Sequence, residues 1–330
     1  MSVLFIGPTR LGDAILVSGV LGWLHETYPH DPITVACGAP AAMALADAPG
    51  VAALHVMLKR RRGGHWIDLW RAARTRRWRC IVDLRRSLIS RVLRADRRCI
   101  IPRGRAAEHR VELASRAVGL PPQPPRIWLS TQHCRNAMDL LPGDQPVLAL
   151  GPGANWICKQ WPIECFADLA SRLLGVGGPL AGGSLFLVGS LAEREIARPI
   201  LHALPGALVV DGFGLDIPTT AAALSRCTLF IGNDSAMMHL AAAAGIPTVG
   251  LFGPTRDEHY GPWGPNGLVV RTPESVEDLL ARRRLGDPDS TLMESLTSDA
   301  VASAVIARWP HLAGAAGRAG APRKEAYRAL

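Results

Sequence analysis

Long apolar runs are missing from this 330-residue chain. Although 48% of its residues are hydrophobic, no stretch reaches the roughly 20 residues of a membrane-crossing helix. The Ala-rich segments at 41–48 and 241–246 are too short. The seven cysteines (37, 80, 99, 134, 158, 165 and 227) include no Cys-x-x-Cys pair. Their spacing excludes the usual zinc frameworks, and the histidines show no metal spacing. We expect reduced, mostly buried thiols, a cytoplasmic setting and no metal. Met1-Ser-Val-Leu-Phe-Ile-Gly enters a strand without a basic leader, so no signal peptide is expected. No Gly-Lys-Ser/Thr marks a Walker loop, and no Gly-x-Ser-x-Gly marks a hydrolase elbow. Lysine is almost absent: Lys59, Lys159 and Lys324 stand among 37 basic residues, the rest being arginine.

What is present is charge of one sign in one place. Lys59 to Arg105 holds seventeen basic and three acidic residues, an excess of fourteen in a chain whose net charge is +9. Trp66, Trp70 and Trp78 lie inside this run. A solvated arginine face, a surface toward anionic lipid or a phosphorylated glycolipid, and a nucleic-acid patch are all compatible with it. No recognition motif accompanies the last.

Short apolar strands alternate with helical segments along both halves, as in parallel sheets covered by helices on both faces. In the first half, strands are expected at 3–6, 33–36, 53–56, 80–84 and 100–101. Helices are expected at 13–25, 40–47, around Trp66 and Trp70, at 87–93 and at 108–118. The Pro-rich Gly119-Leu-Pro-Pro-Gln-Pro-Pro-Arg126 and Pro142-Gly143-Asp144 break the pattern around a weak helix at 131–140. The second half repeats it, with strands at 147–150, 185–188, 208–210, 228–231 and 248–252. Its helices fall at 162–174, where Pro162 takes the first position, and at 193–204, 219–225 and 297–309. Residues 1–140 and 141–310 are read as two Rossmann-like domains, and 311–330 as a flexible tail.

Three segments carry residues suited to chemistry. Gly7-Pro-Thr-Arg-Leu-Gly-Asp13 leaves the first strand and opens the first helix. Its glycine spacing is not Gly-x-Gly-x-x-Gly, which excludes dinucleotide binding by this loop. Asp13 is either an ordinary N-cap or a base, kept ionised, and therefore weak, by the helix N-terminus. Gly151-Pro-Gly-Ala-Asn-Trp-Ile-Cys-Lys-Gln-Trp-Pro162 suits an anion nest around Gly153. Lys159 is either a point charge for phosphate or an exposed lysine. Phe230-Ile-Gly-Asn-Asp-Ser-Ala-Met-Met-His-Leu-Ala-Ala-Ala-Ala-Gly-Ile-Pro-Thr-Val-Gly-Leu-Phe-Gly-Pro254 reads strand, turn, helix, turn, strand. Asp234 and Ser235 are N-cap types there, and bare helix-start N–H groups favour anions. Asp234 as a simple cap and His239 as a satisfied core residue are the structural alternatives. Gly189-Ser-Leu-Ala-Glu193-Arg-Glu195 offers carboxylates for nucleoside hydroxyls.

Taken in order, these segments resemble the bacterial heptosyltransferase family, glycosyltransferase family 9. Gly232-Asn-Asp-Ser-Ala-Met-Met-His-Leu-Ala-Ala-Ala-Ala-Gly-Ile-Pro247 with Leu251-Phe-Gly-Pro254 carries most of the likeness, which covers roughly 1–310. Arg-Leu-Gly-Asp13, Gly151-Pro-Gly-Ala with Lys159, and Val82-Asp-Leu-Arg-Arg-Ser-Leu88 add to it. Ala236 departs from the family's usual Gly, where a methyl would narrow the approach to phosphate. The resemblance implies a GT-B fold, two Rossmann-like domains with parallel sheets facing a central cleft. It implies an inverting, metal-independent heptose transfer from ADP-heptose, with no cofactor, to a lipid A–Kdo acceptor. In that scheme Asp13 is the base. Lys159, Gly153 and the N–H groups near Ser235, Ala236 and Met237 hold the diphosphate, while Asp234 and His239 fix the loop and contact the donor. Glu193 or Glu195 meets the nucleoside. Arg10, Arg60, Arg61, Arg62, Arg85 and Arg86 face the acceptor and the inner membrane. A peripheral monomer that binds no nucleic acid follows. The alternatives are another nucleotide sugar or acceptor, and a non-catalytic nucleotide-sugar-binding protein.

Overall fold

The computed structural model describes residues 1–204, 208–285 and 290–314. Its first half runs β1 (Ser2–Ile6), α1 (Leu11–Thr27), β2 (Ile33–Cys37), α2 (Ala39–Leu45), β3 (Val51–Val56), α3 (Gly64–Ala73), β4 (Trp78–Asp83), α4 (Ile89–Val92), β5 (Ala95–Ile100) and α5 (Arg110–Ala117). The strands form a parallel sheet in the order β3-β2-β1-β4-β5. The second half begins with α6 (Thr131–Leu140), β6 (Val147–Gly151), α7 (Ile163–Leu174) and β7 (Ser184–Gly189). It continues through α8 (Arg198–Ala203), β8 (Val209–Phe213), α9 (Ile217–Leu224), β9 (Leu229–Asn233), α10 (Ala236–Ala243) and β10 (Thr248–Phe252). It ends with α11 (Asp257–Tyr260), β11 (Gly267–Arg271), α12 (Val276–Leu285) and α13 (Ser298–Arg308). This sheet is also parallel, in the order β11-β10-β9-β6-β7-β8. Strand order reverses between β1 and β4 and again between β6 and β9. Crevices open beyond the carboxyl ends of strands at such reversals.

Period-2 alternation sorts β1 between two cores. Val3 and Phe5 turn toward α1, whereas Leu4 and Ile6 pack with Leu69 and Ala73 of α3, Ile81 of β4, and Leu93. Strands β6, β9 and β10 are buried at every residue and read accordingly as unbroken apolar runs. Helix α1 is apolar nearly all round, as a helix enclosed on all sides must be. It lies between the first sheet and α10, so one buried cluster runs from Val3 and Phe5 to Phe230 and Met238.

The Pro-rich segment is not a free linker. Ser18 Oγ accepts from Arg126 N at 2.7 Å, and Gly19 leaves room for the carbonyls of Gln123 and Pro124. Helix α6 packs on α9 of the second half, and Arg226 Nε donates to Leu141 O at 3.0 Å.

Several expected bounds shift. Pro162 is the N-cap of α7 rather than its first residue. The helix expected at 193–204 begins as a 3-10 turn over Leu191–Ala197. The strand expected at 100–101 is the longer β5, whose Arg97 and Arg98 hide its strand character. Strand β11 and helices α11 and α12 were not expected. From residue 315 the expected flexible tail lies outside the described residues; before that, Leu312 is buried.

Candidate active site

A cleft of about 860 Å³ opens between the two sheets. Thr9, Arg10, Gly12 and Asp13 of the first half line one wall. Gly153, Asn155, Trp156, Lys159 and Glu193 face them, together with Asp234 to Met237 and His239. The three segments singled out by sequence therefore meet in one cavity, at the two points where strand order reverses.

The second-half wall is built on paired glycines. Gly151 of β6 and Gly232 of β9 sit in register at the adjacent strand ends. A Cβ on Gly232 would stand 2.8 Å from Gly151 O and 2.7 Å from the Phe230 ring. Beyond them, buried Asn233 ties the two loops together: its Nδ2 donates to Pro152 O at 2.7 Å, and its Oδ1 accepts from Trp161 N at 3.0 Å. This cross-link was missed because Asn beside glycine reads as ordinary turn chemistry.

Asp234 is not a helix cap. Its Oδ2 accepts from Lys159 Nζ at 2.9 Å, and both side chains are largely buried. Lys159 is therefore no surface lysine; its charge is fixed at the cleft wall with further N–H donors to spare. Ser235 is the N-cap of α10 by backbone angle, but its hydroxyl makes no capping bond. Ala236 is the first residue of α10, with a negative φ that alanine adopts without strain. The N–H groups of that first turn have no partner within the helix, as at any helix start. Three buried polar atoms of the lining have no hydrogen-bond partner among the described residues: Ser235 Oγ, Thr255 Oγ1 and His239 Nδ1. Orphans of this kind mark places where a polar ligand completes the bonding.

Glu193 is held by a capping box. Its Oε2 accepts from Ser190 N at 2.7 Å and Ser190 Oγ at 2.8 Å. Its carboxylate lies directly over Gly153, where an added Cβ would come within 2.2 Å of Oε1. Glu195, by contrast, is outside the cleft and pairs with Arg198 on the surface at 2.9 Å. The 3-10 turn directs the two carboxylates differently, so that of the two alternatives Glu193 lines the cleft and Glu195 does not.

Asp13 sits in the first turn of α1, but Arg10, not Asp13, is the N-cap. Among the described residues nothing hydrogen-bonds its carboxylate. Burial lifts the Asp13 carboxyl above its ordinary range and prevails over Arg110, Arg10 and Lys159, which pull it down; Asp234 across the cleft pushes it further up. Burial thus outweighs the three cations around this carboxylate and makes it harder to ionise.

His239 is buried but is not a satisfied core residue, since its Nδ1 has no hydrogen-bond partner among the described residues. Its ring fills the space that a side chain on Gly12 would occupy, with Cδ2 3.1 Å from the position of a Cβ there. It thus joins α10 to the start of α1. Burial depresses its imidazole to about 4, with Asp234 opposing and His109 and Lys159 reinforcing, so it is neutral at pH 7.

Arg110 and Tyr260 are site residues that sequence reasoning did not find. Arg110 Nε and Nη2 donate to Tyr260 Oη at 3.0 and 2.8 Å, linking α5 to α11 at the cleft. Alongside, His109 Nε2 bonds Gly261 O at 3.0 Å and its ring meets that of Trp263. Of the six arginines expected to face the acceptor and the membrane, only Arg10 lines the cleft. Arg60 pairs with Asp68 at 2.8 Å, and Arg85 stacks over Trp66. Arg61, Arg62 and Arg86 lie on the exposed loops after β3 and β4. Among the described residues, no group of three or more His, Cys, Asp or Glu side chains could hold a metal ion. Nor is any helix there long and apolar enough to cross a membrane.

Two doubly wound domains enclosing a polar cleft at their strand-order reversals define a GT-B protein, and solved structures share this architecture. One described as the glycosyl transferase family 9 from Veillonella parvula superposes with a TM-score of 0.77 at 20% identity, covering 94% of this chain and 97% of that one. The E. coli ADP-heptose lps heptosyltransferase II superposes with a TM-score of 0.72 at 21% identity, over 94% and 99% of the two chains. The sequence model described as "Glycosyltransferase family 9 (heptosyltransferase)" matches residues 70–284, and the chain belongs to that family. The chain is 30% identical over 159 residues to a lipooligosaccharide heptosyltransferase 2 of Haemophilus influenzae, a match covering 47% of this chain and 44% of the relative.

Proposed function

We propose that this chain is an inverting, metal-independent transferase that moves heptose from ADP-heptose to the phosphorylated lipid A–Kdo inner core of lipopolysaccharide. In this reading it works as a monomer at the cytoplasmic face of the inner membrane. One observation carries the reading: a basic carboxylate of the first half and a fixed cation beside a helix start of the second half face the same cleft. The donor's diphosphate lies on the second wall, against Lys159 Nζ and the first N–H groups of α10, with Ser235 and Thr255 hydroxyls free to bond it. Glu193 keeps one oxygen clear of its capping box for the ribose. The acceptor hydroxyl enters from the side of Arg10 and Asp13 and attacks the anomeric carbon opposite the departing ADP. Asp13 takes the hydroxyl proton, while the diphosphate leaves with its charge met by Lys159 and the helix start. The donor assignment is supported by relatives described as heptosyltransferases, one as an ADP-heptose enzyme.

Two measurements test this. Thermal shifts with ADP-heptose, ADP-glucose, UDP-glucose and GDP-mannose should rank ADP-heptose first; preference for a non-ADP donor would overturn the assignment. Asp13→Asn should lower turnover about 100-fold or more while keeping the donor-induced shift. Unchanged turnover would remove Asp13 as the base.

A further inference from the structure

We propose that the outward face of α3 and α4, with the arginine-lined pocket at its far end, seats the protein on an anionic lipid bilayer. The inference deepens the membrane part of the function proposed above by locating the face that makes contact.

Helix α3 is amphipathic in the wrong sense for a helix facing water. Leu69 and Ala73 are buried against the sheet. Its opposite stripe, spaced i, i+3, i+4 and i+7, is Ile67, Trp70, Arg71 and Arg74, all exposed. Helix α4, packed beside it, continues the pattern outward with Leu88, Arg91 and Val92. Ile67 is 50% exposed, Leu88 77% and Val92 63%. Three large apolar side chains thus stand well out of the protein among arginines, with Trp70 partly exposed beside them. Such a mixture suits the headgroup boundary, where apolar tips enter the acyl region and guanidinium groups meet phosphate. Trp70, with Arg74 stacked 4.9 Å from its ring centre, is the kind of amphipathic ring that anchors at that depth.

The charge around this face is uncompensated. Its acids are already engaged, Asp68 with Arg60 at 2.8 Å and Asp96 with Arg77 at 2.6 Å. Arg71, Arg91 and Arg94 have no acidic partner among the described residues. Where α3 and α4 end, Thr75, Arg76, Arg77, Arg94 and Arg98 line a second cavity of about 400 Å³. Arg98 is spent on the carbonyls of Ser90 and Ala95. Arg76 and Arg94 are left for a lipid phosphate.

The fold leaves this face free. The second half packs on the other side of the first sheet, through α1 with α10 and His109 with Gly261. A symmetric dimer through the face would set its arginines against their own copies. Nucleic acid would meet the cations but leave Leu88 and Val92 without an apolar partner.

Co-sedimentation with vesicles of phosphatidylcholine and phosphatidylglycerol (3:1) tests the proposal. The wild type should pellet with these vesicles at low salt and far less with pure phosphatidylcholine. The triple variant Ile67→Ser, Leu88→Ser, Val92→Ser should bind at least tenfold more weakly. Arg71→Glu with Arg91→Glu should abolish binding, and Arg76→Gln with Arg94→Gln should weaken it. Arg194→Glu, on the second half, should change nothing. Melting curves of every variant establish that each is folded. The proposal is overturned if the wild type stays in the supernatant, if the α3 and α4 variants pellet like the wild type, or if inorganic phosphate stabilises a protein that vesicles do not bind. It is also overturned if ultracentrifugation shows a dimer that the triple serine variant dissociates. Vesicle binding needs neither donor nor turnover, so a failure of the transferase reading would leave this result standing, and the reverse.

Discussion

Asp13 illustrates how little a residue's position along the chain decides about its chemistry. At a helix start it would be an ordinary ionised carboxylate. Enclosed between two domains, it is harder to ionise, and Arg110 is the strongest cation restraining that shift. Removing Arg110 should therefore raise the Asp13 pKa further. As the base must be deprotonated, Arg110→Ala should move the acid limb of kcat/KM to higher pH, read from a profile between about pH 4 and 8. An unmoved limb would exclude Arg110 from setting the base. The raised value also means that Asp13 favours folding when protonated, a contribution lost as pH rises through its folded pKa. His239 works in the opposite direction. Its imidazole falls from 6.5 to about 4 on folding, so its stabilising neutral state is fully present above pH 6.5 and lost as pH falls toward 4. At pH 5 the loss is about 2 kcal/mol. Melting at pH 5 and 7.5 should show a clearly larger difference for the wild type than for His239→Gln; equal differences would contradict the burial argument.

At the scale of elements, chain segments that bury every residue were the easiest to read. β6, β9 and β10 are apolar runs between glycine-rich turns, and their strand character follows from composition. β5 was read too short, because an edge strand with three exposed central residues shows no apolar pattern. β11 is half-buried throughout and begins at a glycine, so it shows neither alternation nor a continuous run. The Pro-rich segment after α5 lies between the two sheets, but composition does not show that it packs. It docks on α1, where a Cβ at Gly19 would sit 2.3 Å from Pro124 O and 2.5 Å from Gln123 O. Gly19→Ala should destabilise the protein by about 1–3 kcal/mol, the range for overpacking a filled contact. Denaturant titration showing no change in midpoint would mean that the segment moves aside freely.

For the whole molecule, the consequence is cooperativity. Helix α1 belongs to the first sheet but packs on α10, and the buried cluster passes through it without a gap. The clasp of His109 and Arg110 on Tyr260 and Gly261 adds a second tie. The two halves should therefore unfold together. Backbone circular dichroism and tryptophan fluorescence should give coincident thermal transitions. Two resolved transitions would show domains that are stable alone and a contact weaker than its burial implies.

The sequence by itself determined the α/β architecture, the division into two sheets and the three loops that carry the site. Each of these rests on local signals: apolar strands, glycine turns and helix starts spaced along the chain. Tertiary structure alone decided that Lys159 answers Asp234, that His239 closes on Gly12, and that Glu193 enters the cleft while Glu195 leaves it. It also decided that Arg110 acts on Asp13 and that, of the six arginines expected to face the acceptor and the membrane, only Arg10 lines the cleft. These outcomes depend on contacts between residues far apart in the chain, Gly12 and His239 among them, and on desolvation, which no local pattern encodes.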